Sequence, residues 1–557
     1  MRRFATSIAL LTFFFASVAC GAEKLARGSK GAAAAVSPMA SELGIKVLQD
    51  GGNAVDAAVA MGLMLGVVDP HNAGLGGGCF LLIRKPDGEF IALDGRECAP
   101  ASATRQTFLR DGKADPKLSQ IGPLASGVPG ALAAYAEAIE RFGRKKLRDL
   151  IEPAAALAEA GFPLDPTDAR RLNAHQGDFK TNDGAAAIYV RPDRPWQAGD
   201  VLKQPDLAST YRKVGQHGPN WFYRGAFSES VSKWMAANGG LITKDDFAQY
   251  KVIERTPVRG VYRNHEIVSF PPPSSGGIHV IQILQMLERF DLRGLEPAIR
   301  THVVAEAMKI AFADRAHWLG DPDFATVPRG LVRKDYATEL SAKIGTGAVA
   351  AVEKHGNPPD ATSDVFKKHT THFSVADAEG WWVACTATIN TPFGSKVVVP
   401  GTGLLLNNEM DDFSLEPGVP NFFGLIGAEA NAVEPRKRPL SSMSPTIVLR
   451  DGTPILALGA AGGPTIITQT VNNLISVLDL GMELDAALAA PRFHHQWRPD
   501  EVRVEKDLPA DVQATLKRLG HSLNVVDSIG ASNAVGWRDG VFTAASEPRT
   551  TSGAAAW

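Results

Sequence analysis

Cysteine is scarce in this chain of 557 residues, with four in all. Cys20 falls in an N-terminal segment expected to be removed. The three that remain, Cys79, Cys98 and Cys385, are odd in number and show no C-x-x-C spacing. That argues against a disulfide framework and against a zinc site. They read as buried structural thiols. A surplus of charge of one sign is missing as well. The 58 basic and 60 acidic residues leave a net charge of -2, and no basic run stands out, so no nucleic-acid partner is expected. Familiar catalytic signatures are also lacking: there is no G-x-S-x-G and no H-E-x-x-H. The glycine-rich Gly459-Ala460-Ala461-Gly462-Gly463-Pro464 is followed by no Lys-Ser/Thr pair, which rules out a P-loop. With no disulfides, the fold must rest on a large core. The composition, 45% hydrophobic and 21% charged, is that of a soluble globular protein of one large or two to three ordinary domains.

The first residues have the pattern of an export signal. Arg2 and Arg3 form a positive start, Ala5 to Ala19 is apolar but short for a bilayer span, and small residues follow around Ala19 and Ala22. Residues 1–22 are therefore expected to be removed, giving a periplasmic or secreted protein. A lipoprotein acylated at Cys20 is the alternative, for which Ser17 fits poorly.

Further along, Ser37-Pro38 predicts a helix start with Ser37 as N-cap, and Gly51-Gly52 its stop. Asn53 and Asp56 have capping-box spacing ahead of Ala54 to Val68. That stretch is apolar nearly all round and predicts a buried helix; Asp56 and its length argue against a membrane span. Gly74-Leu75-Gly76-Gly77-Gly78 precedes the strand-like Cys79-Phe80-Leu81-Leu82-Ile83, so it reads as a tight turn rather than a dinucleotide loop, which needs a helix there. A hairpin is predicted through Pro86-Asp87-Gly88 into Phe90 to Asp94. Helices are predicted over 131–141, 147–160, 228–237, 279–290 and 301–318. Thr181 to Asp200 reads as surface loop, and Pro271 to Gly277 as irregular. Helices and strands intermix, which predicts a sheet core covered by helices.

Lys354 to Lys368 is polar and broken by Gly356, Pro358 and Pro359, which reads as an exposed linker. Strand-like sequence begins directly after it, at Thr370-Thr371-His372-Phe373-Ser374-Val375. A cut between His369 and Thr370 would make Thr370 a new N-terminus, combining a hydroxyl nucleophile with an α-amine base. Uncut, Thr370 is an ordinary strand residue. A turn over Asp377 to Gly380 predicts a hairpin in which opposed residue numbers sum to about 757. That register brings Thr388 within one position of Thr370 across the pair, either supporting it by a hydrogen bond or forming a plain Thr–Thr strand pair.

Taken together these segments resemble the gamma-glutamyltransferases, also called gamma-glutamyltranspeptidases or glutathione hydrolases. The resemblance is carried by Gly51-Gly52-Asn53-Ala54-Val55-Asp56-Ala57-Ala58, the Gly74 to Gly78 turn and Leu93-Asp94-Gly95-Arg96-Glu97. It continues through Pro271-Pro272-Pro273-Ser274-Ser275-Gly276-Gly277, Leu319-Gly320-Asp321-Pro322 and Thr370-Thr371-His372. It ends with Asn407-Asn408-Glu409-Met410-Asp411-Asp412-Phe413, Lys437 to Pro445 and Pro491 to Trp497. The resemblance implies an α+β N-terminal-nucleophile hydrolase fold, a four-layer αββα sandwich. It implies a proenzyme cut at His369-Thr370 into a large subunit, 23–369, and a small subunit, 370–557, held as a heterodimer.

By the same resemblance Thr370 is the nucleophile, with Thr388 beside it. Arg96 takes the α-carboxylate of a γ-glutamyl group, aided by Ser441 and Ser442. Asp412 takes the α-ammonium, with Asn390 and Glu409 helping. Gly462 and Gly463 form the oxyanion hole. The implied substrates are glutathione and other γ-glutamyl compounds, and the implied acceptors are water, amino acids or dipeptides. No cofactor and no metal are implied. Glu409 stands where some bacterial members have Gln. Gly418 to Ala432 matches a lid, with Phe423 where some members carry Tyr. His494-His495 alternates faces in a strand, which argues against chelation. Two alternatives are a cephalosporin (glutaryl) acylase of the same fold and an uncut, non-catalytic scaffold.

Overall fold

The structure, a computed structural model, describes residues 23–359 and 372–557. The expected export signal, Cys20, His369, Thr370 and linker residues 360–368 lie outside the described residues.

Fourteen described strands form two antiparallel sheets, numbered here in chain order. They are β1 (Leu25–Gly28), β2 (Gly31–Ala35), β3 (Gly78–Arg84), β4 (Phe90–Gly95), β5 (Ile253–Arg255), β6 (Val258–Tyr262) and β7 (His265–Ser269). After the linker come β8 (Phe373–Asp377), β9 (Trp382–Thr388), β10 (Thr446–Arg450), β11 (Thr453–Ala461), β12 (Ala531–Arg538), β13 (Val541–Ala545) and β14 (Gly553–Ala556). One sheet runs β14-β2-β8-β9-β3-β4-β5, the other β1-β13-β12-β11-β10-β7-β6. Both draw strands from either side of the linker, so the two expected subunits are not separate domains.

The two-residue period of a strand sorts side chains into layers. In β3, Phe80 and Leu82 join Val268, Ile447, Ala457 and Val535 in a core between the sheets. Cys79, Leu81 and Ile83 point the other way, into the helices Ala54–Val68 and Ala131–Phe142. In β11, Ala457 faces the inter-sheet core, while Leu456 and Leu458 face the helices Gly276–Leu287, Pro297–Trp318 and Thr465–Leu478. Both faces of both sheets are thus buried. Each enclosed Val, Leu or Ile contributes ~1.5–3 kcal/mol. The result is helix, sheet, sheet, helix, as expected.

The buried helix Ala54–Val68 begins on the predicted capping box. Asn53 Oδ1 accepts from Val55 N and Asp56 N, and Asp56 returns a bond to Asn53 N at 2.9 Å. The hairpin β8–β9 pairs Phe373 with Cys385 and Ala376 with Trp382, a sum of 758 against the expected 757. Cys79, Cys98 and Cys385 are free thiols.

Three readings need correction, and one strand went unread. Ser37 occupies the N-cap of Pro38–Gln49, but its side chain makes no capping bond. Thr181 to Asp200 is not all surface loop: Asp183–Tyr189 is a helix capped by Asn182 Oδ1 on Ala185 N, and Tyr189 and Trp196 are buried. Gly184, without a side chain, lets that helix lie against the Val398 carbonyl. Gly276 and Gly277 belong to a helix, whose first turn packs so tightly on the Met443 and Phe270 carbonyls that a Cβ would overlap them. The alanine-rich β2, with no strand propensity, was not foreseen. Among the described residues no helix is long and apolar enough to cross a membrane.

Candidate active site

A pocket opens at one end of the sheet sandwich, where β9 ends and where β11 turns into the helix Thr465–Leu478. Thr388, Asn390, Glu409, Asp412, Ser441, Ser442, Gly462 and Gly463 all line it. Sequence separations of up to 75 residues, from Thr388 to Gly463, close onto one site. Arg96 is not in the wall: it is fully buried behind Glu409 and Asp412.

Arg96 directly follows β4. The Asp94 carboxylate accepts from its N–H at 3.0 Å, and its carbonyl accepts from Tyr250 at 2.7 Å. Its guanidinium bonds Glu409 through Nη1 and Asp412 Oδ2 through Nη2 at 2.7 Å. Burial opposes the Arg96 charge, but the Glu409, Glu97 and Asp412 carboxylates outweigh it and raise its pKa. Three carboxylates thus surround one guanidinium. Burial pushes Glu409 well above the usual range, partly offset by Arg96. Burial likewise pushes Glu97 up to about 7.

Thr388 ends β9, and its Oγ1 accepts from Asn390 N at 2.7 Å. This bond steadies Asn390 in a left-handed conformation, φ +76°, which Asn tolerates better than most residues. The Asn390 amide then donates to the Asn408 carbonyl at 2.9 Å. Ser441 and Ser442 are held by Pro271 to Gly277: Ser441 N donates to Pro273 O at 3.1 Å, and Ser275 N and Oγ both donate to Ser441 O. That proline-rich motif is therefore a brace for the serines.

Gly462 and Gly463 sit between β11 and the helix Thr465–Leu478, at φ +134° and +58°. Both conformations favour glycine. Among the described residues neither N–H donates a hydrogen bond. Two open amides beside a helix N-terminus suit a developing negative charge. The Phe423 ring lies against Gly463, where an added Cβ would come within 2.5 Å of it. Asn421 ties this lid segment to Asp412 Oδ1 at 3.3 Å.

Two polar lining residues escaped the sequence reading, Asn72 and Arg315. Arg315 lies near the end of the Pro297–Trp318 helix, donating to Ser275 Oγ at 2.9 Å and Ser442 Oγ at 3.1 Å. Its signal was a charged pair, Asp314-Arg315, directly after the apolar run Ile310 to Ala313.

Among the described residues the pocket wall contains no histidine and no cysteine. His372, close by in sequence, is buried against Ser374 and pushed down to about 3 by burial, which makes it a poor base. His494, in the short strand Phe493–His494, and His495, just beyond it, bind separate partners, Thr468 and Asp500. His302, Glu306 and His521 cluster elsewhere, but Lys309 Nζ, 2.9 Å from Glu306, already supplies a cation there.

The family model described as Gamma-glutamyltranspeptidase matches residues 40–557. The glutathione hydrolase proenzyme of Escherichia coli (strain K12) is 43% identical over 530 residues, 94% of this chain and 91% of that protein. The acylase ACY 1 proenzyme of Pseudomonas sp. (strain SE83) is 36% identical over 536 residues, 94% and 93% of the two chains. The crystal structure of a cephalosporin acylase from Bacillus halodurans superposes with a TM-score of 0.86 over 99% of both chains, at 28% identity. On the 40–557 match and the relatedness to the glutathione hydrolase proenzyme, the chain belongs to the gamma-glutamyltranspeptidase family and is an enzyme of the N-terminal-nucleophile hydrolase fold.

Proposed function

We propose that this enzyme is a self-processing γ-glutamyl hydrolase and transferase whose nucleophile is Thr370. The observation that carries the reading is one pocket offering an anion-binding end, a cation-binding end and two open backbone amides. A γ-glutamyl group has a carboxylate, an ammonium and a reacting amide in that arrangement. The β8–β9 register ends at Phe373–Cys385 among the described residues; extrapolated by three residues it would set position 388 against position 370, which supports Thr388 as the neighbour of the nucleophile.

The cycle has two halves. The Thr370 hydroxyl attacks the γ-carbonyl carbon while its own α-amine takes the proton; that amine has a reference pKa of about 7.7–8.0. The oxyanion forms beside the Gly462 and Gly463 N–H groups. Collapse breaks the C–N bond, and the leaving amine receives the proton from the α-ammonium. From glutathione this releases cysteinylglycine and leaves a γ-glutamyl ester on Thr370. Water or an acceptor amine then attacks the ester, giving glutamate or a new γ-glutamyl peptide. Asp412, with Asn390 and Glu409, takes the substrate ammonium. Arg96, with Ser441 and Ser442, takes the carboxylate once it exchanges a present partner. No cofactor enters this cycle.

The relatives' names as proenzymes support cleavage at His369-Thr370 into 23–369 and 370–557. Interleaved strands explain why the fragments would stay together. We read residues 1–22 as an export signal, so the enzyme works in the periplasm or outside the cell.

The acylase reading requires a pocket for a group without an ammonium. Glu409 and Asp412 in the wall disfavour that, because the single Arg96 guanidinium would be left to offset both of them. The test is kcat/KM for γ-glutamyl-p-nitroanilide against glutaryl-p-nitroanilide, alongside a denaturing gel. Preference for the γ-glutamyl compound and two bands, reduced to one inactive band in Thr370→Ala, are expected. Preference for the glutaryl compound, or an uncut active chain, would overturn the reading.

A further inference from the structure

Arg315 is 4% exposed, and among the described residues no carboxylate lies within ion-pair distance of it. It differs in this from Arg96, Arg255, Arg438 and Arg492, the other buried arginines of the fold, each of which pairs with Asp or Glu. Burial pulls Arg315 down to about 10, with Asp412 acting at longer range in the opposite sense. It is still a cation at neutral pH. A buried, unneutralised guanidinium is costly, and one in a pocket wall is where an anion would bind.

The hydroxyls it contacts give the charge a direction. Nη2 donates to Ser442 Oγ at 3.1 Å, so the Ser442 oxygen acts as acceptor toward Arg315. A hydroxyl has one proton, and this arrangement leaves it to donate elsewhere. Ser442 lines the pocket, and among the described residues its O–H has no acceptor. Nε is fixed by Ser275 Oγ at 2.9 Å, and Ser275 also donates to Ser441 O at 2.6 Å. The guanidinium therefore cannot swing away without breaking the brace under both serines. Arg96, behind the pocket wall, is already engaged by Glu409 and Asp412.

We propose that Arg315 is a positioning residue that turns the Ser442 hydroxyl proton-first into the pocket and makes the serine end selective for the substrate's α-carboxylate. The ammonium is thereby directed to the Glu409 and Asp412 end. This deepens the γ-glutamyl reading above and rests on it.

The experiment compares two p-nitroanilides under single-turnover conditions: γ-glutamyl, and 4-aminobutyryl, which lacks only the α-carboxylate. Arg315→Gln should lower kcat/KM for the γ-glutamyl compound by about 10- to 100-fold, the range of one lost charge-assisted hydrogen bond. The loss should sit in KM, and the 4-aminobutyryl compound should change by less than about threefold. Arg315→Lys, which keeps the charge, should recover part of the ratio. Because the readout is a ratio within each variant, a smaller folded fraction cancels; if Arg315→Gln yields no protein, Arg315→Lys carries the test, with a partial loss of the ratio expected. Equal losses on both substrates, or an unchanged ratio, would overturn the positioning role. If the wild type itself shows no preference for the γ-glutamyl compound, the functional reading fails, whatever Arg315 does.

Discussion

Arg96 Nη2 and Asp412 Oδ2 lie 2.7 Å apart, an ion pair joining the chain before the linker to the chain after it. Arg96 is fully buried and Asp412 is 9% exposed, so the carboxylate is the pocket-facing member. The pair both binds the halves together and stores a charge that a substrate ammonium can share.

Asp412→Asn keeps the shape and removes that charge. Arg96 then retains Glu409 and, at 3.7 Å, Glu97, and the ammonium loses its principal acceptor. We expect kcat/KM for γ-glutamyl-p-nitroanilide to fall by roughly 10²-fold or more, since charge-assisted contacts to buried groups are lost on both sides. Activity toward glutaryl-p-nitroanilide should fall far less. A uniform loss on both compounds would point to structural damage instead.

Gly463→Ala sets a methyl within 2.5 Å of the Phe423 ring, in a conformation at φ +58° that alanine resists. The lid must shift and the amide with it. A kcat loss of about 10²-fold is expected, the scale of one lost oxyanion donor. Gly463→Ala with Phe423→Ala removes the clash and should recover part of that loss. A double variant no better than the single one would show that the lid is not what the methyl meets.

Asp69 offers a pH signature away from the reacting atoms. Burial pushes it up to about 7, with Arg171 and Asn72 acting in the opposite direction. A carboxyl raised in the fold binds its proton more tightly there than in the unfolded chain. Its contribution is therefore fully present below about pH 4 and is lost as pH rises through about 7. Asp69→Asn removes this term. Its thermal midpoint should match the wild type near pH 4 and exceed the wild-type trend at pH 8, by up to ~4 kcal/mol in free energy. Parallel pH profiles for the two proteins would exclude the assignment.

Asp56 separates architecture from catalysis within the Gly51 to Ala58 motif. Its carboxylate accepts from Asn53 N, Arg144 N and Lys145 N and is fully buried. Asp56→Ala would orphan three N–H groups, and each unsatisfied donor costs about 1–3 kcal/mol. Stability should drop by several kcal/mol in a denaturant titration. Activity per folded, processed molecule should stay within about twofold, because Asp56 does not line the pocket.

Much of the fold was legible in local chemistry. The capping box at Asn53 and Asp56 and the Gly77-Gly78 entry to β3 were read from residue type and spacing alone. The β8–β9 register came within one residue because a short turn fixes it. What failed to show were elements made by context. β2, Gly31–Ala35, is a strand because only Gly and Ala fit between β14 and β8 with helix and sheet pressing on its two faces. The helix Asp183–Tyr189 forms in a stretch whose Pro, Gly and Asp content resembles loop, because Asn182 caps it and Gly184 fits under Val398. In the site, Gly462 and Gly463 stood out by composition. Arg315 did not: a helical arginine is ordinary until its surroundings are known.

The sequence by itself determined which chemical groups this protein possesses and, through turns, caps and alternation, the layered sandwich that carries them. It also determined the family, because many spaced motifs along the chain must agree at once. Only the tertiary structure decided how charge is distributed among those groups: that Arg96 is already held by Glu409 and Asp412, and that Arg315 faces the pocket with no carboxylate beside it. The physical reason is that neutralisation and burial are properties of neighbours tens to hundreds of residues away, from position 96 to 412 and from 315 to 442, and no local pattern records them.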